Sequence, residues 1–118
     1  MRREWVLYAT EGGARPVIKE REKCRLTETE KGKLLKVLER VERRQTLPGD
    51  VKSLGGDLLE VRIDGNRRIF RLVYAEVNGG LLLLALHFFQ KTTQATPPQV
   101  KRTANRRLAD WRKRFPKE

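Results

Sequence analysis

Three predicted strands joined by very short turns lie between Asp57 and Pro98, and they constrain the fold more than any other feature. The strands span 58–64, 68–77 and 81–89, and each pairs an apolar face with one that carries Arg, Lys, Glu or His. Asp64-Gly65-Asn66 forms the first turn, with Gly65 supplying the positive φ, and Asn78-Gly79-Gly80 forms the second. Strands joined this tightly run antiparallel, so the sequence predicts a three-strand meander.

The N-terminal half predicts a strand followed by two helices. The predicted elements are a strand at 4–9, a short charged helix at 17–25, a longer helix at 27–45 and a loop at 46–56. Pro16 suits the first position of the shorter helix. Thr27 and Glu30 have the spacing of a capping box, which marks the start of the longer helix.

A last helix follows the meander. Thr96-Pro97-Pro98-Gln99 is typical of a helix start, with Thr96 as the N-cap and Gln99 at the capping-box position. An apolar stripe then recurs every three or four residues, at Val100, Ala104, Leu108, Trp111 and Phe115. The order β-α-α-β-β-β-α predicts one α+β domain over residues 1–118, with an antiparallel sheet of about four strands and helices packed on one of its faces.

Side chains alternate between the two faces of a strand, so parity sorts the meander into a buried face and a free face. With the bulkier apolar set under the helices, five ionisable residues converge on the free face and form the candidate catalytic group: Glu60, Arg62, Arg71, His87 and Lys91. An ordinary solvated face with Arg and Glu pairs is the competing interpretation of the same pattern.

The charge balance indicates a polyanionic partner, with nucleic acid as the first candidate. The chain has 27 Lys and Arg residues against 15 Asp and Glu, a net charge of +12. The last helix has more basic residues than a solvated face requires, which favours contact with phosphates. The candidate nucleic-acid-binding residues are Arg67 and Arg68 near the first turn, with Lys101, Arg102 and Arg106 on the last helix.

Several classes of site are excluded by composition. One His and one Cys cannot supply the usual zinc-ligand sets, and the sequence has no Gly-rich phosphate loop, so no metal or cofactor is expected. The longest apolar run, Leu81 to Leu86, is strand-length and far short of a membrane span. The N-terminal residues lack a signal-peptide apolar region and Cys24 has no disulfide partner, so a cytoplasmic protein is expected.

Three segments carry a family resemblance. They are Glu60-Val61-Arg62, Arg71-Leu72-Val73-Tyr74, and the run from Phe89 to Pro97 that leads from an apolar strand into a Thr-Pro turn before a basic helix. Together they resemble the phage-derived, HigB-type branch of the RelE/ParE toxin superfamily. The similarity covers the C-terminal half, whereas the N-terminal half is similar only in the order of its elements.

The resemblance implies a RelE-like fold and the toxin of a type II toxin–antitoxin pair, a metal-independent endoribonuclease that cleaves mRNA in the ribosomal decoding site. It also implies a cognate antitoxin, often of the helix-turn-helix type. By position in the matching motifs, Arg71 clamps the scissile phosphate, Lys91 stabilises the transition state or protonates the leaving oxygen, and Arg62 adds a phosphate contact. Glu60 and His87 are the candidates for the general base.

Two other functions are compatible with the sequence. ParE-like relatives share the fold but inhibit DNA gyrase, which needs no clustered phosphate clamp. A non-catalytic phage protein that binds nucleic acid or the ribosome would share the positive charge. The convergence of Arg62, Arg71 and Lys91 on one face favours the ribonuclease.

Overall fold

A computed structural model of the chain describes residues 2–65, 67–92 and 95–116. Its elements within these ranges are β1 (Glu4–Leu7), α1 (Pro16–Cys24), α2 (Glu28–Glu42), β2 (Val51–Gly55), β3 (Leu58–Asp64), β4 (Ile69–Val77), β5 (Leu82–Lys91) and α3 (Pro98–Arg114). The predicted α+β class is confirmed, and the predicted meander corresponds to β3, β4 and β5. None of the helices in these ranges is long and apolar enough to cross a bilayer.

The sheet differs from the prediction at both of its edges. It has five strands in the order β1-β5-β4-β3-β2, and β2 to β5 are antiparallel neighbours. β1 is parallel to β5, with Trp5 opposite Leu83, so the sheet is mixed rather than all antiparallel. The partner of β1 lies far along the chain, and no local pattern in the sequence specifies such a pairing.

The edge strand β2 lies in the predicted loop at 46–56, so the prediction of a loop there is wrong. Val51 pairs with Val61 of β3, and the register shifts between Ser53 and Gly55. A short strand that ends in glycines has little strand propensity of its own. The backbone pairing with β3 therefore makes this segment a strand.

Helices cover both faces of the sheet, which corrects the prediction that they share one face. α1 and α2 contribute Val17, Leu34, Val37 and Val41 to a core with Val61, Ile63, Phe70 and Leu72 of the sheet. α3 contributes Val100, Ala104 and Leu108 to a second core with Leu58, Val73, Ala75, Leu84 and Leu86. A strand that is buried on both faces reads as a continuous apolar run, as Leu72 to Ala75 does in β4.

A bulge in β5 changes which of its side chains share a face. The register with β4 shifts between Val73 and Tyr74, which leaves Leu86 as the extra residue. Strict alternation places Leu86 and Phe88 together, but Leu86 lies in the core under α3 and Phe88 lies in the core under α1 and α2. Parity along this strand therefore holds only on either side of the bulge.

Two of the predicted helix starts are confirmed and one is wrong. Pro16 is the first residue of α1. Thr27 forms the capping box of α2, since its hydroxyl accepts from the Glu30 amide at 3.1 Å and its own amide donates to Glu30 Oε1 at 2.9 Å. The N-cap of α3 is Pro97, which provides no side-chain cap, because Thr96 directs its hydroxyl to a strand residue instead.

The hairpin between β3 and β4 needs its glycine for a different reason from the predicted one. Arg67 rather than Gly65 has the positive φ, at 63°, and Asn66 lies outside the described residues. A Cβ on Gly65 would lie 2.1 Å from Oε2 of the buried Glu30 side chain. Gly65 therefore allows the hairpin to approach α2 closely.

Candidate active site and nucleic-acid interface

The register of the meander brings three of the predicted site residues to one end of the sheet. Arg62 lies directly opposite Arg71, Arg71 lies opposite Phe89, and Ile69 lies opposite Lys91. Paired residues on neighbouring antiparallel strands point to the same face. Arg62, Arg71 and Lys91 therefore share the face on which α3 packs.

Arg71 is buried, with an exposed fraction of 2%. Its Nη1 donates to the Phe70 carbonyl at 2.8 Å and lies 3.4 Å from Oδ1 of Asp64, while its Nε lies 3.3 Å from Oε1 of Glu60. A buried guanidinium needs such partners because an unpaired charge inside a protein is costly. The expected phosphate clamp on a solvated face therefore does not describe Arg71 in this arrangement.

Glu60 is fully buried beneath the segment that leads into α3. Its Oε2 accepts a hydrogen bond of 2.7 Å from the hydroxyl of Thr96. Its Oε1 and the Nε of Arg71 face each other without forming a well-aligned hydrogen bond, so the pair interacts mainly by charge. The expectation that Glu60 lies on a free face is wrong, because α3 covers that face.

Of the three predicted site residues at this end of the sheet, Arg62 and Lys91 reach solvent and Arg71 does not. Arg62 is exposed, and Lys91 is half-buried at the last position of β5. Neither side chain forms an ion pair with a carboxylate in the described part of the chain. Both cations are therefore available to an anionic ligand.

His87 belongs to a separate ionic cluster that joins α1, β5 and α3. Its Nδ1 lies 2.9 Å from Oε2 of Glu20, and Arg107 approaches the same carboxylate at 2.9 Å and 3.1 Å. The imidazole ring stacks on Phe89, with the ring centroids 5.7 Å apart. Burial favours a raised pKa for Glu20, but the hydrogen bonds from His87 and Arg107 outweigh it and hold the pKa below its ordinary value.

Sequence reasoning missed Glu20 and Arg107, since each lies on the polar side of a helix with no pattern that points to a partner. Glu20 also accepts from the Phe88 amide at 3.1 Å, so it satisfies the edge of β5 beyond the end of β1. Within the described residues, no hydrogen bond or ion pair links this cluster to Arg71 and Glu60. The predicted catalytic group is thus divided between two places in the fold.

Arg68, predicted to bind nucleic acid, instead packs the hairpin against the helices. Its guanidinium donates to the carbonyls of Cys24 at 2.8 Å and Arg25 at 3.0 Å, and it pairs with Glu30. It also lies 4.9 Å from the centroid of the Phe70 ring. These contacts hold the junction of α1 and α2 against β4.

The other four predicted nucleic-acid-binding residues remain accessible. Arg67, Arg102 and Arg106 are exposed and Lys101 is half-buried. Among the residues that the structure describes, none of the four forms an ion pair. Arg102 and Arg106 are one turn apart on α3 and present their charges on the same side of the helix.

The arrangement as a whole suits the binding of anions. Arg62 and Lys91 are open to solvent, whereas Glu60 is buried with one oxygen bonded to Thr96, and Nδ1 of His87 is paired with Glu20. In the described ranges there is no group of three or more His, Cys, Asp or Glu side chains that could hold a metal ion.

A protein-family model matches the part of the chain that contains this site. The family model of the phage-derived Gp49-like proteins (DUF891) matches residues 24–109, which include every predicted site residue. The chain belongs to the Gp49-like family. The Gp49-like family is a RelE-like toxin family. The resemblance of the C-terminal half to RelE-like toxins is therefore confirmed. No curated protein is significantly similar to it.

Proposed function

We propose that this Gp49-like protein is the toxin of a type II toxin–antitoxin pair, of the HigB type, and that it blocks translation by cleaving mRNA on the ribosome. The observation that carries the proposal is the alignment of Arg62, Arg71 and Lys91 on one face at one end of the meander. Membership in a RelE-like toxin family supports the same class of activity. The inhibitory partner is a cognate antitoxin, of the helix-turn-helix type.

The net charge supports a target that is rich in RNA. A charge of +12 gives the protein a long-range attraction to the ribosome and to the message that it holds. Arg102 and Arg106 add accessible cations on α3 for such a docking surface. Phosphate contacts of this kind orient a protein on RNA without reading its sequence.

The cleavage uses the 2′-OH of the RNA itself, which attacks the adjacent phosphorus and displaces the 5′ oxygen of the next nucleotide. The protein must stabilise the added negative charge and donate a proton to the leaving oxygen. Arg62 is exposed, and its planar fork suits two phosphate oxygens. Lys91, at the end of β5, is the cation for the developing charge and the proton donor to the 5′ oxygen.

Arg71 is a positioning residue in this scheme. Its contact with Asp64 ties β4 to the end of β3, the strand that carries the open cation Arg62. Because Glu60 is buried and His87 is paired with Glu20, the ribosomal complex supplies the acceptor for the 2′-OH proton and the remaining in-line geometry.

A non-catalytic protein that binds nucleic acid or the ribosome is the second candidate. The observation that favours it is the engagement of both possible bases, since Glu60 is buried under Thr96 and His87 is paired with Glu20. A binding protein needs only the open cations. The two candidates differ in whether the message is cut.

Primer extension on mRNA from cells that express the protein separates the two candidates. The ribonuclease predicts cuts confined to translated frames, and the variant Arg62→Ala/Lys91→Ala loses both the cuts and the growth arrest. Lys19→Ala/Lys23→Ala is the matched control, since it removes two exposed charges from α1 and retains the cuts. Growth arrest without cuts would reject the ribonuclease.

A further inference from the structure

A cleft lined mainly by cations lies where β3 extends past Val51, the first residue of β2. The pairing of these strands begins at Val51 opposite Val61, so residues 62–64 continue beyond it. The cleft has a volume of about 370 Å³ and lies between this part of β3, α2 and residues 48–50. Its charged lining consists of Lys33, Lys36, Arg40, Asp50, Arg62 and Asp64.

One ion pair forms a fixed wall of the cleft. Asp50 accepts from Nε and Nη2 of Arg40, both at 2.8 Å, and from the Leu47 amide at 2.8 Å. The bonds from Arg40 hold the pKa of Asp50 below its ordinary value, so this carboxylate stays charged and paired. Asp64, the other acid of the lining, lies 3.4 Å from Nη1 of Arg71. Each acid of the lining thus already has a cation beside it.

Three cations of the lining remain without a carboxylate. Lys33, Lys36 and Arg62 form no ion pair within the described ranges of the chain. Nζ of Lys33 donates to the Asp64 carbonyl at 3.0 Å, which holds this ammonium group beside the end of β3. Lys36 lies three residues further along α2 and faces the same cleft. An anion between these groups would relieve their mutual repulsion.

We propose that the cleft binds a phosphate of the RNA backbone next to the phosphate that Arg62 and Lys91 contact. The inference rests on the proposed function, since it takes RNA to be the strand that crosses this end of the sheet. Arg62 both lines the cleft and lies opposite Arg71 in the sheet, so one strand of RNA can reach both places. Lys33 and Lys36 act as compact charges that bind phosphate oxygens without reading bases.

The test is equilibrium binding of the whole protein to a labelled single-stranded 2′-O-methyl RNA, measured by fluorescence anisotropy at several KCl concentrations. Lys33→Ala/Lys36→Ala weakens binding to every sequence and makes the plot of log K against log salt shallower by about 0.7, the value for the loss of one phosphate contact. Lys33→Arg/Lys36→Arg retains the wild-type slope, because it keeps both charges.

The control is Lys19→Ala/Lys23→Ala, which has the same net charge as the double alanine variant of the cleft. These lysines lie on α1, which packs beside β5 rather than β3, so the salt slope stays at its wild-type value. An unchanged slope for Lys33→Ala/Lys36→Ala, or equal losses in the two alanine variants, would overturn the inference.

Competition with inorganic pyrophosphate distinguishes an RNA backbone from a free polyphosphate. An RNA site predicts that pyrophosphate displaces the oligomer only when it is in large excess. Displacement at concentrations near the Kd of the oligomer would instead assign the cleft to a free polyphosphate. Because the 2′-O-methyl RNA has no nucleophile, it cannot be cleaved. If the binding experiment fails to show the cleft contact, the primer-extension result on cleavage still stands. If no cleavage is found in cells, the binding result still stands.

Discussion

The hydroxyl of Thr96 donates a hydrogen bond of 2.7 Å to Oε2 of Glu60, so the segment before α3 lies over the buried Glu60–Arg71 pair. The contact joins the start of the last helix to the middle of β3, two elements that also meet through their apolar residues. Access to the Glu60 carboxylate therefore requires this segment to move. The same bond explains why α3 lacks a side-chain cap at its first turn.

Thr96→Val should lower the free energy of unfolding by about 1.5 kcal/mol, because it removes the donor to a buried carboxylate while keeping the side-chain shape. Urea denaturation measures the change. Thr103→Val on the same helix is the control and should stay within about 0.5 kcal/mol of the wild type, since no side-chain hydrogen bond of Thr103 occurs among the described residues. Equal effects of the two substitutions would contradict a specific role for Thr96.

The pair of Glu60 and Arg71 should behave as one unit in a double-mutant cycle. Glu60→Leu and Arg71→Leu each leave a buried charge without its partner, and each should cost about 3–5 kcal/mol of unfolding free energy. The double variant should cost clearly less than the sum, because no buried charge of the pair remains. Urea denaturation of all four proteins measures the coupling. Additive losses would show that Asp64 and the Phe70 carbonyl alone satisfy Arg71.

Gly65 and Gly32 should respond to alanine in opposite directions. At Gly65 the new Cβ would lie 2.1 Å from Oε2 of Glu30, so Gly65→Ala should destabilise the protein by about 1–3 kcal/mol. At Gly32, inside α2, no other part of the described chain beyond the adjacent residues and the helix's own backbone lies within 4 Å of the new Cβ, and alanine should stabilise by about 0.5–1 kcal/mol. Thermal unfolding of both variants checks the signs, and a stabilising Gly65→Ala would refute the close approach.

Asp50 should contribute to the loss of stability in acid. The hydrogen bond from Arg40 lowers its pKa in the folded state, so the unfolded chain binds this proton more readily. Its contribution is complete above the unfolded pKa of about 3.9 and is lost as the pH falls from there through the lower folded value. Asp50→Asn should flatten this part of a plot of unfolding free energy against pH. If the loss of unfolding free energy at low pH is unchanged in this variant, other carboxylates cause it.

Local features of the sequence were sufficient to predict most of the elements. The turn at Asn78-Gly79-Gly80 and the capping box of Thr27 and Glu30 act within a few residues, so their outcome does not depend on the rest of the chain. β2 was missed because its strand character comes from pairing with β3. The start of α3 was misplaced because Thr96 binds Glu60, which is distant in the sequence.

The sequence was sufficient to predict which residues of the candidate site share a face of the sheet, but not which of them are buried. Parity predicts that Arg62 and Arg71 share a face, and the strand register agrees. Parity does not indicate which face a helix covers, since Phe70 and Leu72 offer an apolar surface on one side of β4 and Val73 offers one on the other. The partners of His87 come from α1 and α3, and neither helix carries a pattern that would identify them.

By itself, the amino-acid sequence determined the order of the meander, the start of α2 and the positive charge that favours an anionic ligand, because these depend on neighbouring residues and on composition. Only the tertiary structure decided that α3 covers the face of Glu60 and Arg71, and that Lys33 and Lys36 join Arg62 in one cleft. Burial and charge clustering depend on how elements distant in the chain pack together, and the pattern within each element does not contain that information.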